Sequence, residues 1–393
     1  MYECMKYNYN VLEPVKIVIF NNYLKKLVNK NKDLHKINKK TIRSTLLNEI
    51  ISEKPKLDLQ TKDEEIIHIN IDVEINSITD LLSLIETYKI EPKIHYNINM
   101  ESLHKIKQPL LELNNMVGMK ELKTNVLEQI IYFIQELHVD SYDFMHTVIY
   151  GPPGTGKTEI AKIMGKIFSN IGLLSKDTFK KVTRSDLIAG YVGQTALKTR
   201  DVINNSLGGV LFIDEAYSLG NNEKKDSYAK ECIDTLCEAL SNHKQDFMVI
   251  IAGYEDELNQ CFFNYNQGLQ SRFAWRFKTD EYSGKDLHDI FVKKVNEIKW
   301  KICDNENVSK ITPVWFEKKL EYFKHYGRDI ECLLAKTKIA HSRRVFCKDI
   351  KDKKKLILQD LDNGLELYLK NNELQKVRDD DLIKKQIQYS MYN

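Results

Sequence analysis

Gly151-Pro152-Pro153-Gly154-Thr155-Gly156-Lys157-Thr158 is the stretch that decides how this chain folds. It follows the apolar run Val148-Ile149-Tyr150 and precedes Glu159-Ile160-Ala161-Lys162-Ile163-Met164, whose apolar residues recur at helical spacing. Strand, glycine-rich turn and helix in that order supply the context in which G-x-x-x-x-G-K-[ST] reads as a phosphate-cradling loop. The chemistry explains the residue types. Glycines at 154 and 156 let backbone N–H groups close around phosphate oxygens, and the helix N-terminus adds partial positive charge. Lys157 is placed to reach the outer phosphates, and the Thr158 hydroxyl is placed to meet Mg²⁺.

A second strand with chemistry at its end follows. Gly208-Gly209 introduces Val210-Leu211-Phe212-Ile213, a continuous apolar run that reads as a strand buried on both faces, and it ends in Asp214-Glu215. Ligands in open α/β sheets sit at the carboxyl ends of such strands. Asp214 is therefore a candidate for holding Mg²⁺, and Glu215 for orienting and deprotonating the attacking water. The competing reading is that the two acids cap the next helix.

Working outward, Leu103 to Leu113 carries helix-period apolar residues broken at Pro109, and leads into Asn115-Met116-Val117-Gly118-Met119. A glycine there allows a base to stack closely on backbone. Downstream, Gly190-Tyr191-Val192-Gly193 brackets an aromatic with glycines, which favours an exposed loop over packing. Phe247 to Ala252 reads as another strand, followed by Gly253-Tyr254. Arg272 and Arg276 then stand close together; an arginine in this setting is either a surface ion pair or a clamp on transition-state charge.

The order of these features resembles the AAA+ ATPases, most closely the subgroup that contains stage V sporulation protein K and the red-type Rubisco activase. The resemblance covers roughly Leu103 to Leu369 and rests on several motifs. Residues 151–158 match the family's Walker A motif and Leu211 to Glu215 its Walker B. Arg184-Ser185-Asp186-Leu187 followed by Gly190-Tyr191-Val192-Gly193-Gln194-Thr195-Ala196 is similar to the subgroup's own signature. The resemblance implies adenine contacts at Val117 and Gly118, a pore-loop aromatic at Tyr191, an arginine finger at Arg272 with Arg276 as its competitor, and a lid arginine at Arg328. Two departures accompany it. Ala252-Gly253-Tyr254 stands where many members keep a sensor-1 asparagine or threonine, so Tyr254 inherits the position without the side chain. The usual lead into the lid arginine is shortened to Gly327-Arg328.

The fold expected is α/β: a parallel-sheet P-loop NTPase core, a helical lid, and a small α+β domain at the N-terminus. Residues 1–98 are assigned to that accessory domain, 99–282 to the nucleotide-binding domain, 283–370 to a lid of four helices without strands, and 371–393 to a polar tail. Within the accessory domain, Val15 to Phe20 reads as a strand, Asn22 to Ile51 as mostly helix and Ile67 to Ile75 as a half-buried strand, with Ser77 capping a further helix.

Composition bounds the rest. In 393 residues, 42% hydrophobic and 29% charged is ordinary globular usage. The longest apolar runs are strand length, far short of the roughly 20 residues a bilayer needs, and the N-terminus has no apolar signal core, so an intracellular, cytoplasmic protein without membrane contact is expected. Seven scattered cysteines make neither a disulfide framework nor a zinc site. The net charge of +3 is uninformative, but Lys25 to Arg43 is basic, which keeps a nucleic-acid motor or loader as the rival reading. The favoured reading is a Mg²⁺-dependent ATPase in a homo-oligomeric ring, expected to be a hexamer, that remodels a protein partner. A nucleotide-dependent scaffold is disfavoured, because it has no need of Glu215 or Arg272.

Overall fold

The computed structural model describes residues 67–139, 142–191, 193–221, 226–303, 310–349 and 353–370. The strand expected at Val15 to Phe20, the helix expected from Asn22 to Ile51, the basic stretch Lys25 to Arg43 and the polar tail lie outside them.

The core is a five-stranded, all-parallel sheet. With β1 (Ile67–Ile69) and β2 (Ile94–Tyr96) forming a separate pair, the sheet strands are β3 (Thr147–Tyr150), β4 (Phe179–Val182), β5 (Val210–Ile213), β6 (Met248–Gly253) and β7 (Trp275–Lys278), in spatial order β4-β5-β6-β3-β7. Alternation of side chains divides each central strand between two hydrophobic clusters. Ile149, Phe212 and Ile250 face the helices Lys120–Ile134 and Lys157–Asn170, whereas Val148, Leu211 and Val249 face Ser227–Asn242. Both faces are covered, which is why these strands read as unbroken apolar runs. Register aligns Tyr150 with Gly253, and Ile213 with Ile251 two residues earlier on the same strand, so the segments after β3, β5 and β6 emerge at one edge.

Two short elements depart from their sequence pattern. The alternation over Ile67 to Ile75 gives a strand of only Ile67–Ile69, because the Asn97 side chain replaces the ladder: Ile71 N–H donates to Asn97 Oδ1 (2.9 Å) and Asn97 Nδ2 donates to the Ile71 carbonyl (3.1 Å). Ser77 does cap the helix Ile78–Thr87, its Oγ accepting from Asp80 N–H at 3.2 Å. That helix buries Leu81, Leu82, Leu84 and Ile85 in the same cluster as Leu110 and Leu113 of the Lys107–Asn114 helix. Residues 67–98, expected in an accessory domain, thus share a core with the nucleotide domain. The break expected at Pro109 falls at Ile106 instead, and Pro109 is tolerated in the first turn of the second helix.

The region expected to form the lid, called the lid below, contains the helices Gly284–Glu297, Pro313–Glu317 and Gly327–Val345, and a helical segment over residues 358–370. It is not strandless as expected. β8 (Lys301–Ile302) and β9 (Lys355–Leu356) form a two-residue parallel pair, too short to leave a periodic signal. Buried Asp360 secures it, accepting from Arg344 Nε (2.7 Å) and lying 3.0 Å from His341 Nδ1, while Arg344 also donates to the Lys355 carbonyl. Among the described residues no helix is long and apolar enough to cross a membrane.

Candidate nucleotide-binding site

Residues 151–156 turn from β3 into the Lys157–Asn170 helix through backbone that only glycine adopts freely. Gly154 and Gly156 have φ of 80° and 85°. A Cβ on Gly154 would land on the His325 carbonyl oxygen of the lid. No side chain caps the helix, so its first N–H groups remain for a ligand. Above the loop opens a cavity of about 910 Å³, lined by residues from both the sheet edge and the lid.

Of the residues singled out from sequence, Val117, Gly151, Pro153, Gly154, Gly156, Lys157, Thr158, Asp214, Glu215, Tyr254 and Arg328 line this cavity. Pro152 and Thr155 support the loop from behind: Thr155 is fully buried and its Oγ1 donates to the Pro152 carbonyl at 2.9 Å. Gly118 lies beside the cavity at φ 68°, its Cα facing the Tyr282 ring.

Lys157 Nζ bends over the loop to the Gly151 and Pro152 carbonyls, each at 2.7 Å. Burial lowers its pKa to about 8, opposed by Asp214 and Glu215 and assisted by Arg328. Asp214 Oδ2 accepts from Lys181 Nζ of β4 at 2.6 Å. Glu215 follows in the left-handed region (φ 51°, ψ 46°), an uncommon conformation for a glutamate that recurs at functional sites. It precedes the 3-10 turn Ala216–Leu219 without a side-chain capping bond, so the capping reading of the acid pair does not hold.

Three residues stand apart. Arg272 does not line the cavity of its own chain; its Nε donates to Ser241 Oγ (2.7 Å) and Nη1 to the Gly268 carbonyl (2.6 Å). Arg276 lies 4.7 Å from the Phe263 ring centroid. Tyr191 is 74% exposed on its loop, and among the described residues nothing approaches the Cβ positions of Gly190 and Gly193 within 4 Å.

Sequence reasoning missed Lys181, Tyr217, Tyr282, Lys293 and Glu331, all of which line the cavity. Lys181 had one usable signal: parallel pairing of β4 with β5 puts it beside Phe212, two residues from Asp214. Lys293 and Glu331 come from two lid helices and carry no local signal.

Residues 147–278 match the family described as "ATPase family associated with various cellular activities (AAA)". A cfxQ-like protein of Acanthamoeba polyphaga mimivirus is 40% identical over 278 residues, 70% of this chain and 68% of that protein. Stage V sporulation protein K of Bacillus subtilis is 38% identical over 203 residues, covering 50% of this chain and 62% of its own. The chloroplastic ribulose bisphosphate carboxylase/oxygenase activase of Cyanidioschyzon merolae is 32% identical over 243 residues, 60% of this chain and 78% of that one. The chain belongs to the AAA ATPase family. It is a nucleotide-binding ATPase built on the parallel-sheet P-loop core.

Proposed function

We propose that this ATPase works as a ring, a hexamer, that couples hydrolysis to remodelling of a protein partner. The observation that carries the reading is the division of groups around the cavity: Lys157, Asp214, Glu215 and Arg328 line it together, while Arg272, the finger candidate, is held outside. A site with an acid pair, a phosphate-loop lysine and a lid arginine, but without its own finger, is one that a neighbouring subunit completes.

In this reading the loop N–H groups, Lys157 and Arg328 bind the phosphates of ATP, and the base lies toward Val117 and Gly118, with Tyr254 beside the phosphates. Glu215 orients the attacking water and accepts its proton as the oxygen attacks the γ-phosphate in line, the bond from that phosphorus to the bridging oxygen breaks, and ADP leaves with that oxygen. Arg272 of an adjacent copy neutralises charge on the transferred group. Thr158 and Asp214 suit Mg²⁺ as hard oxygen donors lining one cavity, and Asp214 already accepts a cationic group in Lys181. Bound there, Mg²⁺ would neutralise phosphate charge. Tyr191, exposed between unhindered glycines, grips an extended polypeptide and moves as the lid closes. The relative named as an activase of ribulose bisphosphate carboxylase/oxygenase supports a protein substrate.

The test is Glu215→Gln, which should retain ATP while turnover falls about 10²- to 10⁴-fold. Used as a trap in ATP, it should retain protein from an extract of its host. Retention of nucleic acid in place of protein, or turnover near wild type, would overturn the reading.

A further inference from the structure

Tyr282 lies in the linker between β7 and the first lid helix, and its ring is 5% exposed. Three parts of the nucleotide site meet on this one side chain. Its hydroxyl donates to the Thr155 carbonyl of the phosphate loop at 3.1 Å. Its ring fills the space beside Gly118, where a Cβ would stand 2.5 Å from Cε1. It also meets Tyr326 of the lid edge-on, with centroids 5.3 Å apart and planes at 85°. Burial, with Asp286 and Asp280 nearby, raises the phenol pKa, so the group stays protonated and able to donate.

The lid side is constrained as well. Tyr326 has φ 43° and ψ −111°, outside the regions that non-glycine residues ordinarily occupy. The next residue, Gly327, donates its N–H to the Gly154 carbonyl at 3.1 Å. Two consecutive loop carbonyls, Gly154 and Thr155, are therefore held by donors from the lid and its linker. In a planar trans peptide the C=O and the following N–H point in opposite directions. Fixing these two carbonyls thus fixes the direction of the Thr155 and Gly156 N–H groups, turning them away from the lid donors.

We propose that Tyr282 is a positioning residue that couples the lid to the phosphate loop: together with the Gly327 N–H it holds the loop carbonyls so that the loop N–H groups are presented to the phosphates of a nucleoside triphosphate. Lid displacement releases those carbonyls and weakens the grip on phosphate. The inference rests on the ATP-site reading above and goes beyond it by assigning the link between occupancy and lid position.

The experiment compares wild type with Tyr282→Phe, which keeps the ring and removes only the donor. Three quantities are measured on the full chain: equilibrium affinity for a ribose-labelled fluorescent ATP with Mg²⁺, melting temperature, and amide hydrogen exchange over residues 152–158 and 325–329. Loss of one donor to a buried carbonyl should weaken nucleotide affinity about five- to thirty-fold. Exchange should quicken in both segments in the free protein. A merely structural tyrosine would lower the melting temperature and leave affinity within twofold, and that result would overturn the proposal. So would weakened affinity with unchanged exchange at 325–329. Failure of wild type to bind the nucleotide would instead sink the site reading itself, so the two failures are distinguishable.

Discussion

At the end proposed to hold phosphate, the cavity is built from two contiguous motifs, residues 151–158 and 214–215, each following a strand of the parallel sheet. At the end proposed to hold the base, it is built from single residues of distant segments: Val117, Tyr282, Lys293 and Glu331. Strand pairing fixes the first end to within the precision of a hydrogen-bonded sheet. The second end is joined to the first through the contacts of Tyr282 with Thr155 and Gly327 with Gly154. In the proposed reading the acid pair is set by strand register, whereas the loop carbonyls of Gly154 and Thr155 are also tied to Gly327 and Tyr282. Substitutions should differ in kind: at Glu215 chemistry is lost with binding kept, at Lys157 affinity is lost, and at the second end affinity and lid position change with turnover at saturation little altered.

The largest expected effect breaks the comparison at a third place. Arg272→Ala should lower turnover about 10³- to 10⁵-fold while leaving ATP binding by the isolated subunit nearly intact, because the residue lies outside its own cavity. Mixing Arg272→Ala with Lys157→Ala subunits should restore part of the activity, since some interfaces then pair an intact loop with an intact finger. Steady-state assays of mixed assemblies check this; the absence of any rescue would confine Arg272 to a structural role.

The next effect belongs to the phosphate end and depends on pH. With its pKa lowered to about 8 by burial, Lys157 carries its charge below that value and loses it above. Phosphate needs the ammonium, so ATP affinity should fall as pH rises through about 8, by at most about tenfold per unit, with proton uptake on binding. The free protein should respond oppositely. Between about 8 and the ordinary lysine value of 10.5 its folded state binds fewer protons than the unfolded one, so stability from this group rises with pH. Calorimetric titrations in buffers of different ionisation enthalpy, together with denaturant melts, measure both signs.

A smaller effect sharpens the base end. Gly118→Ala must hold φ near 68° and displace the Tyr282 ring, and should weaken ATP binding about three- to tenfold with turnover at saturation little changed. A collapse of turnover at saturating ATP would show that the two ends are not separable in this way.

The same contrast explains what could be read from the sequence. The loop and the acid pair are contiguous, and each follows an apolar strand, so their residue types and their flanks agree. The exposure of Tyr191 could be read from its flanking glycines, but its role and that of Arg328 came only through resemblance, since an arginine in a helix or a tyrosine between glycines fits many settings. Tyr282 and Lys293 left no signal, because their roles arise from contacts across more than a hundred residues of chain, as in the bond from Tyr282 to Thr155. In the fold, the central strands were legible because two covered faces demand unbroken apolar runs. β1 was overread because nothing in the local pattern of Ile67 to Ile75 shows that Asn97 will take the hydrogen bonds of Ile71. The β8–β9 pair escaped because two residues per strand make no period.

The most direct test of the central claim is retention of labelled ATP by the purified chain in the presence of Mg²⁺, measured beside Lys157→Ala. Saturable binding by wild type that Lys157→Ala weakens by at least about tenfold is the predicted result. Equal retention by both, or none by wild type, would contradict the assignment of residues 151–158 as the phosphate cradle.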